Sequence, residues 1–121
     1  MPNSPVIDPD SIANLRALSP DDGDVFLKEV LGIFLDDTPV RIAELHSSRA
    51  AGDAGTFTRA AHSIKGSSSN IGAGELRAIA EQLEHQSRQN GLTGLEPLLQ
   101  QLEAAFTRVK VELDTIIAEP A

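Results

Sequence analysis

The stretch Phe57–Ala73, "FTRAAHSIKGSSSNIGA", decides how the chain is read, because it carries a histidine, a lysine and a glycine at helical spacing. At about 100° per residue, Phe57, Ala61, Ile64, Ser68 and Ile71 share one side, which is the expected core face. His62, Lys65, Gly66 and Ser69 share the other side. His62 is therefore expected to face outward, with Lys65 one turn along and Gly66 beside it. A glycine in a helix interior costs roughly 1 kcal/mol relative to alanine. Gly66 needs a reason.

Working outward, Gly52 marks the turn before this helix and Asp53 is its expected cap. Upstream, Phe26, Leu27, Val30, Leu31, Phe34 and Leu35 trace a helical stripe that Ile42 and Leu45 resume. Pro39 falls inside it, so a kink or boundary is expected near Thr38. Further upstream, Asp8 or Asp10 can cap a short helix, with Pro9 in its first turn and Ile12, Leu15 and Leu18 at spacing three. "SPDDGD" separates that helix from the next. Downstream, Leu76, Ile79, Ala80 and Leu83 form a stripe that Asn90-Gly91 should end with a left-handed cap. A last helix carries Leu95, Leu99, Leu102, Phe106, Val109, Leu113 and Ile116. The expected fold is all-α, an antiparallel four-helix bundle with a short extra N-terminal helix, over residues 8–118. Residues 1–7 read as a flexible lead-in and 119–121 as a tail.

Composition narrows the function. The chain has 121 residues, enough for one domain, and its 3% aromatic content with no Trp or Tyr suits a helical bundle rather than a sandwich. A net charge of −8 argues against nucleic acid as a partner, because phosphate binding needs a basic stripe. No apolar run is long enough for a membrane span, and the acidic, proline-rich start does not read as a signal peptide. With no cysteine there is no disulfide framework, which fits a cytoplasmic setting. Lysine occurs only at Lys28, Lys65 and Lys110, so one beside a histidine is noticeable.

An outward imidazole is a good nucleophile, since its neutral form dominates near pH 7. To take a phosphoryl group from another protein, the ring must project clear of its own helix, and glycine one turn away removes an obstacle. Lys65 is placed to screen the charge of the product, and Ser69 to present a hydroxyl beside the ring.

The run His62-Ser63-Ile64-Lys65-Gly66 through Gly72 resembles the signature of histidine-containing phosphotransfer (HPt) domains, H-x-x-K-G-x-x-x-x-x-G. "FLKEVLGIFLDDTPVRIAEL" is similar to the family's long second helix with its proline, and "LRAIAEQLEHQSRQNG" to the helix packed beside the phosphorylated one. The resemblance runs from about Asp10 to Val109. It implies a four-helix bundle that shuttles a phosphoryl group between receiver-domain aspartates and an imidazole, usually at Nε2. It also implies a carrier without ATP-dependent kinase activity of its own. His62 would be the phosphoacceptor, Lys65 its charge partner and Gly66 the clearance position. Glu84 matches a polar residue that can hold the ring's Nδ1–H, and Arg88, one turn on, would add a second cation near the phosphate. The expected partners are receiver domains of response regulators and a hybrid sensor kinase, with the Mg²⁺ held by the receiver, no cofactor on this chain, and a monomeric bundle.

Three rival readings stay beside this one. Glu81 and His85, with Glu84 and His62, offer a metal site, although no two histidines have helical spacing. The phosphoacceptor bundle of a sensor kinase would follow its histidine with an acidic residue, whereas Ser63 follows here, and no Gly-rich nucleotide-binding segment is present. The third is a helical interaction bundle that is never phosphorylated. For docking, the outward face of the Asp53–Asn70 helix and the adjoining second helix are expected to meet a receiver. Ile12 and Leu15 are the candidates for an apolar patch there. His46 and His85 have no supporting residues and read as surface side chains.

Overall fold

The computed structural model describes residues 6–119. These form five helices: α1 (Pro9–Ala17), α2 (Val25–Ala51), α3 (Ala54–Ile71), α4 (Gly74–Asn90) and α5 (Glu96–Ala118). Contacts run α2–α3, α3–α4, α4–α5 and α5–α2, a closed ring of four, while α1 touches only α2 and α3. The connections between α2 and α5 are short, so successive helices return alongside one another as an antiparallel bundle. No helix among the described residues is long and apolar enough to cross a membrane.

Helices α3, α4 and α5 bury the stripes their sequences carry, whereas Leu18, the last of the three spaced residues expected in α1, lies past that helix and is 71% exposed. Phe57, Ala61, Ile64, Ser68 and Ile71 of α3 are all buried, as are Leu76, Ile79, Ala80 and Leu83 of α4. In α5, Leu99, Leu102, Val109 and Leu113 are buried. Phe106 meets Phe34 of α2 with ring centroids 6.1 Å apart, joining the two outer helices of the ring.

Caps fix the helix starts. Asp53 accepts from the Thr56 amide at 3.1 Å, and Asp8 accepts from the Asp10 amide at 3.0 Å. At α2 the cap is displaced. Asp24 precedes the helix with a left-handed φ of 68° and bonds Arg16 instead, while Asp22 accepts from the Phe26 amide.

Four expectations change. Of the kink or boundary expected near Thr38, the boundary is absent, because α2 runs without a break through Pro39. Pro39 is on the exposed side, so the carbonyl that it leaves without an amide partner faces water. Gly91 has the positive φ expected of it, 75°, but its ψ of −155° is extended rather than left-handed helical. Of the expected lead-in, residues 1–5 lie outside the described residues, and Ile7 is buried with Val6 packed beside it. Ile12 is buried and Leu15 half-buried against the core, so α1 supplies no free apolar patch from them. Of the expected tail, Glu119 is described and exposed.

Gly72 explains how α1 is held. Its carbonyl accepts from the Asp8 amide at 2.9 Å. Its φ is +78°, and a Cβ there would lie 2.6 Å from the Ser11 side chain and 3.0 Å from that of Asp8. Only a residue without a side chain can both end α3 in this conformation and let α1 lie across it.

Candidate functional site

The site sits on the mutual face of α3 and α4, the most extensive contact in the bundle. His62 lies on α3 between two buried positions, Ala61 and Ile64, which forces its own side chain outward, and the ring is 64% exposed. Glu84 lies opposite on α4, between Leu83 and Ser87, and is 6% exposed. His62 Nδ1 is 2.9 Å from Glu84 Oε2. Lys65 Nζ stands 2.7 Å from Glu84 Oε1, an ion pair rather than a well-directed hydrogen bond. Arg88 Nη2 donates to Glu84 Oε2 at 3.1 Å. One buried carboxylate therefore gathers three nitrogen-bearing side chains from two helices.

Burial pushes the Glu84 carboxyl up, but Lys65, His62 and Arg88 together outweigh it and hold the pKa at about 2, down from 4.5. The group is ionised at neutral pH and can only accept, so Nδ1 of His62 must donate. In the neutral ring the Nε2 lone pair is then free, on the exposed side.

A pH prediction follows from the same carboxylate. A folded pKa of about 2 against an ordinary 4.5 contributes stability that is fully present above pH 4.5 and disappears as pH falls toward 2. The shift corresponds to about 3 kcal/mol. Urea unfolding of wild type and Glu84→Gln between pH 6 and pH 2 should show a stability gap that closes across that window. A gap that stays constant with pH would overturn this account of Glu84.

Gly66 is exposed, and a Cβ built on it meets nothing within 4 Å. It is not a helix–helix contact point. Its missing side chain leaves the face past His62 bare.

His62, Lys65, Glu84 and Arg88 are thus brought together, with Gly66 beside them. Ser69 is not part of this group. Seven residues further along the helix is about 10 Å, beyond the reach of a hydroxyl to the ring, and Ser69 is exposed without a bond to these groups. Ser67 instead donates to the carbonyls of Ser63 and Ile64 in its own helix.

The sequence reading missed the other half of the site. Thr58, Arg59 and Ser63 line a shallow open hollow with His62, Glu84 and Arg88. Thr58 Oγ1 is 2.7 Å from Ser87 Oγ, whose proton goes to the Glu84 carbonyl, which makes Thr58 the donor between α3 and α4. Helical spacing was the available signal. Thr58 and Arg59 lie four and three residues before His62, on the same face.

Arg59, Lys65 and Arg88 flank His62 in a chain whose net charge is −8. Across the groove toward α2, Arg41 and Glu44 lie beside Arg59 and Ser63. The apolar surface adjoining this face is on α2, not α1. Ile33 and Val40 are 68% and 54% exposed, and Ile33 shares a groove with Ser67 and Asn70. No three His, Asp or Glu side chains gather as a metal would require among the described residues, so Glu81, Glu84, His85 and His62 do not form such a cluster.

Comparison with known proteins bears on this geometry. The family model for the Hpt domain matches residues 29–112. The structure is similar to that of histidine-containing phosphotransfer protein B (HptB) from Pseudomonas aeruginosa PAO1, with a TM-score of 0.85 and 30% identity over 95% of this chain and 96% of that one. It shares its fold with the HPT domain of a sensor hybrid histidine kinase from Shewanella, with a TM-score of 0.75 and 18% identity over 93% and 94% of the two chains. The same holds for the histidine-containing phosphotransfer protein MtHPt2 from Medicago truncatula, with a TM-score of 0.79 and 24% identity over 91% and 76%. No curated protein matches the sequence.

Proposed function

This chain belongs to the Hpt domain family, the histidine phosphotransfer modules of phosphorelays, and from that premise we propose that His62 is its phosphoacceptor. One observation carries the assignment. The ring is held at Nδ1 by an ionised carboxylate, while Nε2 has no partner among the described residues and lies on the exposed side.

The step needs little from the carrier. The Nε2 lone pair attacks the phosphorus of an aspartyl phosphate on a receiver domain. An N–P bond forms, the P–O bond to the aspartyl group breaks, and the carboxylate leaves with the bonding electrons. Run backwards, the step passes the group to a second receiver. Glu84 orients the ring, Lys65 and Arg88 supply positive charge, and Gly66 keeps the approach open. The Mg²⁺ of such a reaction belongs to the receiver. The carrier acts as a monomer without ATP, between receivers and a hybrid sensor kinase. The docking surface is the outer face of α3 with Ile33 and Val40 of α2, ringed by Arg41, Arg59 and Arg88.

The test is to mix the protein with a receiver loaded with phosphate and map the acid-labile label. Label on His62 is the expected result. A folded protein that takes nothing from several receivers of its own organism would leave the unphosphorylated interaction bundle as the better reading.

Lys65 gives a graded prediction. A charge about 4 Å from the phosphoryl group in water-like surroundings is worth about 1 kcal/mol. Lys65→Ala should therefore lower the equilibrium fraction of phosphorylated carrier about fivefold, read from the ratio of labelled carrier to labelled receiver. An unchanged ratio would remove Lys65 from the site.

A further inference from the structure

Glu84 is a carboxylate where a neutral side chain such as glutamine would also accept the Nδ1 hydrogen bond. Its charge is held in place from three sides, by His62, Lys65 and Arg88, and it is almost wholly shielded from water. That charge has a consequence for the loaded ring. Nε2 attacks while Nδ1 carries a proton, so the new phosphoimidazole is a cation at the instant it forms. We infer that the Glu84 carboxylate retains the proton on Nδ1 after His62 is phosphorylated, so that the loaded ring stays an imidazolium and its N–P bond stays easy to break. The inference rests on His62 being the phosphoacceptor.

Charge and atoms balance. An aspartyl phosphate with two negative charges and a neutral ring give a free carboxylate and a ring of charge +1 bearing a phosphoryl group of charge −2. No proton moves. Around the ring, Arg59, Lys65, Arg88 and Glu84 sum to +2 before transfer, and the phosphorylated ring adds −1. Loss of the Nδ1 proton would take the hydrogen-bond donor from a shielded carboxylate and set a ring lone pair against it at 2.9 Å, which is costly. The leaving group follows from the same proton. A cationic ring departs as neutral imidazole, whereas a ring without that proton must depart as imidazolate. The surrounding cations oppose a charged ring, so the contact at Nδ1 has to outweigh them. On α3 the ring is faced by Arg59 and Lys65, and on α4 by Glu84 and Arg88, with Glu81 and His85 beyond Lys65. Arg41 and Glu44 of α2 stand further off, beside Ser63. Of these, only Glu84 touches Nδ1.

The experiment needs no receiver. Wild type and Glu84→Gln, full-length, are phosphorylated with phosphoramidate, and the ring is titrated by ¹⁵N and ³¹P NMR while dephosphorylation is timed. Glutamine keeps the acceptor and removes the charge. The expected result is an Nδ1 midpoint about one pH unit or more higher in wild type. Dephosphorylation at about pH 8 should be up to about tenfold faster than in the variant. The phosphorylated wild-type chain, titrated again unfolded in urea, gives the same comparison without a variant, and its midpoint should also fall by about one unit. Coincident midpoints would overturn the inference while leaving phosphotransfer intact if a receiver still loads His62. A folded protein in which phosphoramidate leaves His62 unlabelled would overturn it too. Separated midpoints uphold it even if no receiver exchanges phosphate with the protein.

Discussion

His62→Gln should take up no phosphoryl group from a loaded receiver, with the loss complete to the background of the assay. Glutamine has comparable bulk on the same outward face, and its amide N–H can still donate to Glu84, so the three-sided arrangement around that carboxylate survives. The ring is 64% exposed, so little packing is lost, and the unfolding free energy should change by no more than about 0.5 kcal/mol. An amide nitrogen, by contrast, has no available lone pair for phosphorus. The chain contains its own controls in its other two histidines. His46 Nε2 is engaged by Glu103 across the α2–α5 contact. His85 stands beside Lys65, Glu81 and Arg88, close enough to be a misassigned acceptor. Uptake that persists in His62→Gln, with the label on His85, would refute the assignment outright.

Gly66→Gln should separate chemistry from stability in the opposite direction to an ordinary site mutation. Glycine is about 1 kcal/mol worse than a good helix former in a helix interior, and the space around position 66 is open. The variant should therefore unfold at the same or a higher urea concentration than wild type. Its side chain, however, would project one turn beyond the imidazole, into the space through which a receiver must bring its phosphorus to within about 3 Å of Nε2. A misplacement of about 1 Å costs on the order of 100-fold in such reactions, and that is the expected loss in transfer rate. Gly66→Ala should fall between the two. Single-turnover transfer alongside urea unfolding decides the matter, and a stabilised variant with an undiminished rate would leave Gly66 without its explanation.

How much of the molecule is legible in its sequence depends on the range of the interaction. The core face of α3 and the outward direction of His62 and Lys65 are set within a few residues, and periodicity found them. Glu84 is different. It lies 22 residues from His62, in a helix where a glutamate ordinarily reads as solvated, and only the resemblance to a family singled it out. Its burial depends on how α4 packs on α3, which no local pattern contains. Ile12 shows the converse. Its spacing marked an apolar stripe, but whether that stripe is covered was decided by the docking of α1 at the end of α3. At Pro39 the rule that proline breaks helices lost to packing on both sides of it, with Phe34, Thr38 and Leu45 buried in one continuous α2. Arg59 and Thr58 were within reach of the same spacing argument that found Lys65, applied toward the N-terminus instead of the C-terminus.

Gly66 and Gly72 stand six residues apart in one signature, yet they answer to separate demands. Nothing within this molecule requires the first to be bare, since a Cβ there meets open space. The second is bare because this molecule's own first helix lies against it, with its carbonyl holding Asp8 and no room for a methyl group. A pattern search that scores both glycines is therefore measuring two inherited traits at once, reactivity at one and architecture at the other. A lineage that gave up phosphotransfer would be free to lose the first while still obliged to keep the second. The last letter of the motif records how the chain is tied together, and by itself says nothing of what it carries.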